Sequence, residues 1–184
     1  SLHPENAGIA VNERGAIVVD KRLHTTADNI WAMGHATGGL QFTYISLDED
    51  RIVRDELLGE GKRSTDDRKN VPYSVFMTPP LSRVGMTEEQ ARESGADIQV
   101  VTLPVAAIPR ARVMNDTRGV LKAIVDNKTQ RMLGASLLCV DSHEMINIVK
   151  MVMDAGLPYS ILRDQIFTHP SMSESLNDLF SLVK

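Results

Sequence analysis

The stretch "GVLKAIVDNKTQRMLGASLLCV", residues 119–140, limits the possible folds of this chain more than any other. Its two apolar runs, "GVLKAIVDN" and "RMLGASLLCV", have strand length and are separated by the turn-forming "DNKT", so they read as a tight antiparallel hairpin. Just upstream, "DIQVVTLPV" reads as another strand, and "VPYSVFMTPPLSRVG" as an extended segment broken by two prolines. Thr87 precedes "EEQARESG", with acids in the first turn and Gly95 as a stop, which predicts a short capped helix. Downstream, "SHEMINIVKMVMDAG" places Met145, Ile148, Val149 and Val152 on one helical stripe, with Ser142 as the expected cap and Gly156 as the end. "PYSILRDQI" adds a short helix. Strands grouped together with flanking helices define the expected fold class, α+β, with an antiparallel sheet covered on one side.

The part before this reads differently. "AGIAVNERGAIVVD" predicts a small hairpin turning at Asn12 and Gly15, and "NIWAMG" a compact strand. The glycine-rich loop "HATGG" follows, then the helix "LQFTYISLDEDRIVRDELLGEG", ending at Gly59 or Gly61. Strand, glycine loop and helix make a natural phosphate or ligand cradle, because glycines admit close backbone approach and a helix start presents free N–H groups. "HATGG" has neither the lysine of a Walker loop nor the G-x-G-x-x-G spacing. The polar "GEGKRSTDDRKN" then reads as a surface linker. The expected organisation is therefore residues 1–60 as a strand–loop–helix segment, 61–70 as linker and 71–184 as an independent domain.

Near the end, "FTHPSMSESLNDLF" sets His169 before a proline and Glu174 five residues later. Proline in a first helical turn, with Ser171, Ser173 and Glu174 as capping types, predicts a helix start with His169 at its mouth. Leu176, Leu179, Phe180 and Val183 supply its apolar stripe, and Glu174 in the first turn can reach back to the ring. Two readings stay open from the residues alone: a base and its orienting carboxylate, or a capping-region histidine beside an acid placed for the helix dipole.

Composition narrows the function classes. With 42% hydrophobic and 24% charged residues and a net charge of −4, the chain is of ordinary globular type, and its scattered basic residues leave no footprint for nucleic acid. No apolar run is long enough to span a membrane, and the first residues lack the pattern of a signal peptide, so a cytoplasmic location is expected. The single cysteine, Cys139, lies in an apolar run and is assigned to the core. His3, His24, His35, His143 and His169 stand at no metal-binding spacing.

Three of these stretches resemble one family, the FAD-dependent pyridine nucleotide-disulfide oxidoreductases. "TADNIWAMGHATGG" resembles the family's second flavin-binding motif, in which a strand ends in Gly-Asp and the aspartate contacts the flavin's ribityl chain. "VPYSVFMTPPLSRVGMTEEQA" resembles the entry into its C-terminal dimerisation domain, and "THPSMSES" its His-Pro-Thr-x-x-Glu signature. Within the family the likeness points to a branch serving bacterial resistance to reactive chlorine and reducing copper(II). The resemblance implies that residues 1–60 are a remnant of a nucleotide/FAD-binding domain, with FAD as cofactor, NAD(P)H as co-substrate and a homodimer formed through residues 71–184. It also implies that Gly34, His35, Ala36 and Thr37 border the cofactor, and that His169 and Glu174 form an acid–base dyad acting across the dimer interface on the partner's flavin and disulfide.

Two departures qualify this. His35 stands where the family has aspartate, and neither a G-x-G-x-x-G nor a C-x4-C dithiol motif is present. The expectation is thus a C-terminal portion, or an engineered fragment, of a longer reductase, inactive by itself. The alternative is an inert dimerisation module without cofactor. The electron acceptor, whether disulfide, copper(II) or another, and the choice of NADH or NADPH are not written in these residues.

Overall fold

A computed structural model describes residues 3–184. The chain divides into two compact units, one up to Lys69 and one from Asn70 to Lys184.

The first unit is built around helix α1, Thr43–Leu58, whose Ile45, Glu49 and Ile52 are buried. The helix ends where predicted, at Gly59. The Asn12 turn also forms as predicted: its Oδ1 accepts the N–H groups of Arg14 (2.9 Å) and Ala16 (3.0 Å). The three strands expected here do not extend into ladders. The hairpin is reduced to a bridge between Val11 and Ile17, and "NIWAMG" to one between Trp31 and His24. These pairings are too short to gain what a propagated ladder needs. Residues 61–69, read as linker, fold back on this unit. Asp55 accepts the N–H groups of Lys62 (2.7 Å) and Arg63 (2.8 Å), and Thr65 N–H bonds to Lys21 O (2.9 Å). The Arg63 amide is the first cause holding the Asp55 carboxyl below its ordinary pKa.

The second unit has the expected α+β architecture. Strands β1 (Tyr73–Val75), β2 (Leu81–Gly85), β3 (Ile98–Pro104), β4 (Val120–Asp126) and β5 (Met132–Leu138) form one antiparallel sheet in the order β1-β2-β5-β4-β3. The β4–β5 hairpin is the predicted one, with Asp126 Oδ1 accepting Lys128 N–H at 2.7 Å to close its turn. Helix α2 (Glu88–Glu93) starts at Thr87 through a reciprocal box: Thr87 Oγ1 accepts Gln90 N–H, and Gln90 Oε1 accepts Thr87 N–H. A short helix α3 (Pro109–Val113) follows β3.

One face of the sheet is dry. Val84, Val101, Leu121, Ala123, Val125, Ala135 and Leu137 pack in a single core with Met145, Ile146 and Val149 of helix α4 (Ser142–Asp154). The buried stripe of α4 is therefore centred nearer Ile146 than periodicity alone placed it, with Ile148 and Val152 at its margin. Ser142 is not the cap. Asp141 holds that position, and Ser142 is fully buried, donating from Oγ to Pro80 O (2.9 Å) and bonding Ser82 Oγ (2.9 Å). A buried hydroxyl is kept where it finds partners, and β2 supplies them.

Cys139 lies in this core, as expected, and burial pushes its thiol pKa up to about 12 with further contributions from Asp141 and Asp116. The reactive thiolate is thereby suppressed at neutral pH. The expected result is that a thiol reagent leaves the native chain unmodified and labels one site on unfolding. Rapid native labelling would contradict this burial.

Candidate active site

Helices α5 (Ser160–Asp164) and α6 (Ser175–Ser181) flank the segment that carries the C-terminal histidine and its carboxylate. Helix α6 is anchored by Leu176, Leu179 and Phe180, all fully buried, as the stripe predicted. Its side chain Asn177 donates to the carbonyls of Leu162 (2.8 Å), Arg163 (3.0 Å) and Gln165 (3.0 Å), which caps the end of α5 and joins the two helices. The helix begins later than the proline signal implied. Pro170 lies ahead of a turn at 171–174, and Glu174 is the N-cap rather than a first-turn residue. That turn is tied down by Met172, which is buried and accepts the Ser175 hydroxyl at 2.5 Å.

From this position Glu174 Oε2 lies 2.8 Å from His169 Nδ1. Its other oxygen, Oε1, accepts Ser171 N–H at 3.1 Å. The two side chains differ in setting: Glu174 is 17% exposed and His169 69%. An ionised carboxylate can only accept, so the proton of this bond sits on Nδ1. When the ring is neutral, Nε2 is then the free acceptor, and it faces outward on a largely exposed ring. That is the arrangement of a base, or after protonation an acid, held by its partner in one tautomer.

The second predicted element, Gly34–Thr37, forms a single 3₁₀ turn in the first unit. Gly34 has φ +70°, where a side chain is strained, and a Cβ there would crowd Ser46 Oγ at 3.0 Å. Thr37 Oγ1 donates back to Gly34 O (2.9 Å), and Ala36 O accepts Ile17 N–H (2.8 Å). Gly34 N–H itself bonds to the buried carboxylate of Glu49. Glu49 in turn receives Arg68 Nη2 at 2.9 Å, while Arg68 Nε bonds to Asp48 at 2.7 Å. Burial works to lower the Arg68 pKa, but the bonds to Asp48 and Glu49 outweigh it and the pKa is raised.

Sequence reasoning missed this anchor. Its signal was present: Glu49 interrupts the inward stripe Ile45–Ile52, and an acid at such a position requires a buried partner. His35 is exposed and lines a cleft of about 580 Å3 with Asn12, Arg14 and Gln41. As a ribityl-binding set this loop does not fit at residue 35, because an imidazole replaces the accepting carboxylate and Glu49 is already engaged by Gly34 and Arg68. Among the described residues, no group of three or more His, Cys, Asp or Glu could hold a metal ion, and no helix is long and apolar enough to cross a membrane.

The sheet with its flanking helices matches a known domain. Residues 71–180 match the family model described as the pyridine nucleotide-disulphide oxidoreductase dimerisation domain, and residues 1–49 match that of pyridine nucleotide-disulphide oxidoreductase. The chain belongs to the pyridine nucleotide-disulfide oxidoreductase family, as the resemblance implied. Among individual relatives, it is 98% identical over 184 residues to the probable pyridine nucleotide-disulfide oxidoreductase RclA of Escherichia coli, covering 100% of this chain and 42% of that protein. It is 35% identical over 176 residues to the mercuric reductase of Staphylococcus aureus, covering 96% of this chain and 32% of the other. A solved structure, the Cu(II) complex of the HOCl-induced flavoprotein disulfide reductase RclA from Escherichia coli, superposes with a TM-score of 0.99 at 97% identity, over 100% of this chain and 43% of that one. The chain thus spans less than half the length of the relatives it matches.

Proposed function

We propose that this chain forms the C-terminal part of an FAD-dependent NAD(P)H oxidoreductase, contributing a homodimer interface and a His169–Glu174 acid–base dyad that serves the partner subunit's flavin site. The observation that carries this reading is the 2.8 Å bond from His169 Nδ1 to a Glu174 whose own position is set by the turn, on an otherwise exposed ring. An exposed imidazole with an oriented Nε2 is suited to take a proton from, or return it to, a group presented by another subunit. Homodimer formation through residues 71–184 is supported by large apolar side chains left at the surface of this unit, among them Phe76 (78% exposed) and Met151 (70%). When bound, FAD supplies hydride acceptance from NAD(P)H and electron delivery to the acceptor. Gly34, His35, Ala36 and Thr37 border it in this reading, contributing backbone and hydroxyl groups but no carboxylate. The copper(II) complex of the relative supports copper(II) as an acceptor.

The test is His169→Gln in the flavin-loaded full-length reductase. Turnover is expected to fall about 10²–10⁴-fold, the usual weight of a positioned acid–base group, with bound flavin per chain unchanged. Unaltered turnover would remove His169 from the mechanism.

A further inference from the structure

We propose that Ser171 is a positioning residue for His169, acting through Glu174; this rests on the reading of His169 as the proton-transfer group. Ser171 grips Glu174 from two sides. Its N–H donates to Glu174 Oε1 at 3.1 Å, and its Oγ accepts Glu174 N–H at 3.2 Å. The reciprocal pair has the S-x-x-E pattern and bond directions of a capping box, set on the turn that leads into α6, and it assigns the two carboxylate oxygens. Oε1 is taken by the turn, so Oε2 is the oxygen left for His169 Nδ1 at 2.8 Å.

The distribution of exposure shows which member orients which. Glu174 is 17% exposed and clamped to a turn that Met172 anchors in the core, whereas the His169 ring is 69% exposed and makes one recorded hydrogen bond. The ring therefore depends on the carboxylate for its orientation, and the carboxylate depends on residue 171. The consequence lies at a named atom. With Oε2 held in place, Nδ1 keeps its proton and Nε2 keeps its lone pair; with the carboxylate free to rotate, the neutral ring samples both tautomers and the base is present for only part of the time. The bond to Oε1 comes from the backbone N–H of residue 171 and is available to any side chain there, whereas the hydroxyl acts on Glu174 through its backbone N–H, fixing the turn from which the carboxylate is presented; threonine can therefore replace serine, and valine, of the same shape as threonine, cannot.

The experiment uses this chain labelled with ¹⁵N-histidine, at a pH above about 8, where an ordinary imidazole is neutral. The His169 signals are assigned by their loss in His169→Gln. In the parent chain and in Ser171→Thr, the ring nitrogens are expected to report the Nδ1–H tautomer. In Ser171→Ala and Ser171→Val, the ratio of Nδ1–H to Nε2–H is expected to fall about fivefold, the weight of one net hydrogen bond. The amide spectrum of the remaining core should stay unchanged, and the threonine–valine pair isolates the hydroxyl from any change in packing. A parent-like ratio in both Ser171→Ala and Ser171→Val, or a fall in Ser171→Thr equal to theirs, would overturn the proposal. The catalytic reading fails separately, by full turnover of His169→Gln in the flavin-loaded reductase, which leaves the tautomer ratio of this chain unaffected.

Discussion

Glu49→Ala is expected to destabilise the first unit by about 3 kcal/mol, the lower end of the range for removing one member of a buried ion pair. The lower end applies because Arg68 keeps its 2.7 Å bond to Asp48 after Glu49 is lost. Two groups are nevertheless stranded: the Gly34 N–H, whose acceptor disappears, and one edge of the largely buried Arg68 guanidinium. Glu49→Gln keeps an acceptor for Gly34 but removes the charge, so its cost should be roughly half. The sequence provides a convenient reporter, since its single tryptophan, Trp31, lies in this unit. Urea unfolding followed by Trp31 fluorescence should show an earlier transition for Glu49→Ala. A coincident transition would mean that Arg68 and the Gly34 turn find other partners at no cost. The consequence for the site is direct, because Glu49 and Arg68 tie the Gly34–Thr37 turn to α1 and to the segment that follows it.

Phe180→Ala should be at least as costly to the second unit, about 3–5 kcal/mol for deletion of a fully buried aromatic ring. Phe180 is 0% exposed, lies among the residues joining α6 to the sheet core, and stacks against Tyr159 with ring centroids 6.0 Å apart. Little can collapse into the space, since Leu176 and Leu179 on the same helix are themselves fully packed. Phe180→Leu fills most of the volume and should recover more than half of the loss. Circular dichroism in urea reads this unit, which holds the sheet. A cost below about 1 kcal/mol would show that α6 is not a structural part of the core. Glu174 is the N-cap of the same helix, so loosening it also releases the carboxylate that orients His169.

Much of the fold was legible from local pattern. The β4–β5 hairpin, the Thr87 cap, the C-terminal end of α1 and the apolar stripe of α6 each follow from a period or a cap that a few neighbouring residues carry. The His169–Glu174 contact was legible for the same reason, because five residues and one turn separate the partners. The Glu49–Arg68 pair was not, although an acid on an apolar helical stripe announced that some partner was needed. Which cation it would be depended on residues 61–69 folding back, and their polar composition resembles that of any surface connection.

The sequence by itself determined the β4–β5 hairpin and its turn, the Thr87 helix start, that Cys139 is core, and that Glu174 lies within reach of His169. Only the tertiary structure decided the strand order β1-β2-β5-β4-β3, the burial of Ser142 against Ser82 and Pro80, the reduction of an expected hairpin and an expected strand to single bridges, and the start of α6 at Ser175 rather than at Pro170. The physical reason is the reach of the forces. A cap or a period is satisfied by groups within one or two turns of the same chain, so the local sequence suffices to specify it. A buried hydroxyl, a buried charge or a strand edge is stable only when a remote segment supplies the matching donor or acceptor, and that supply exists only once the whole unit has folded.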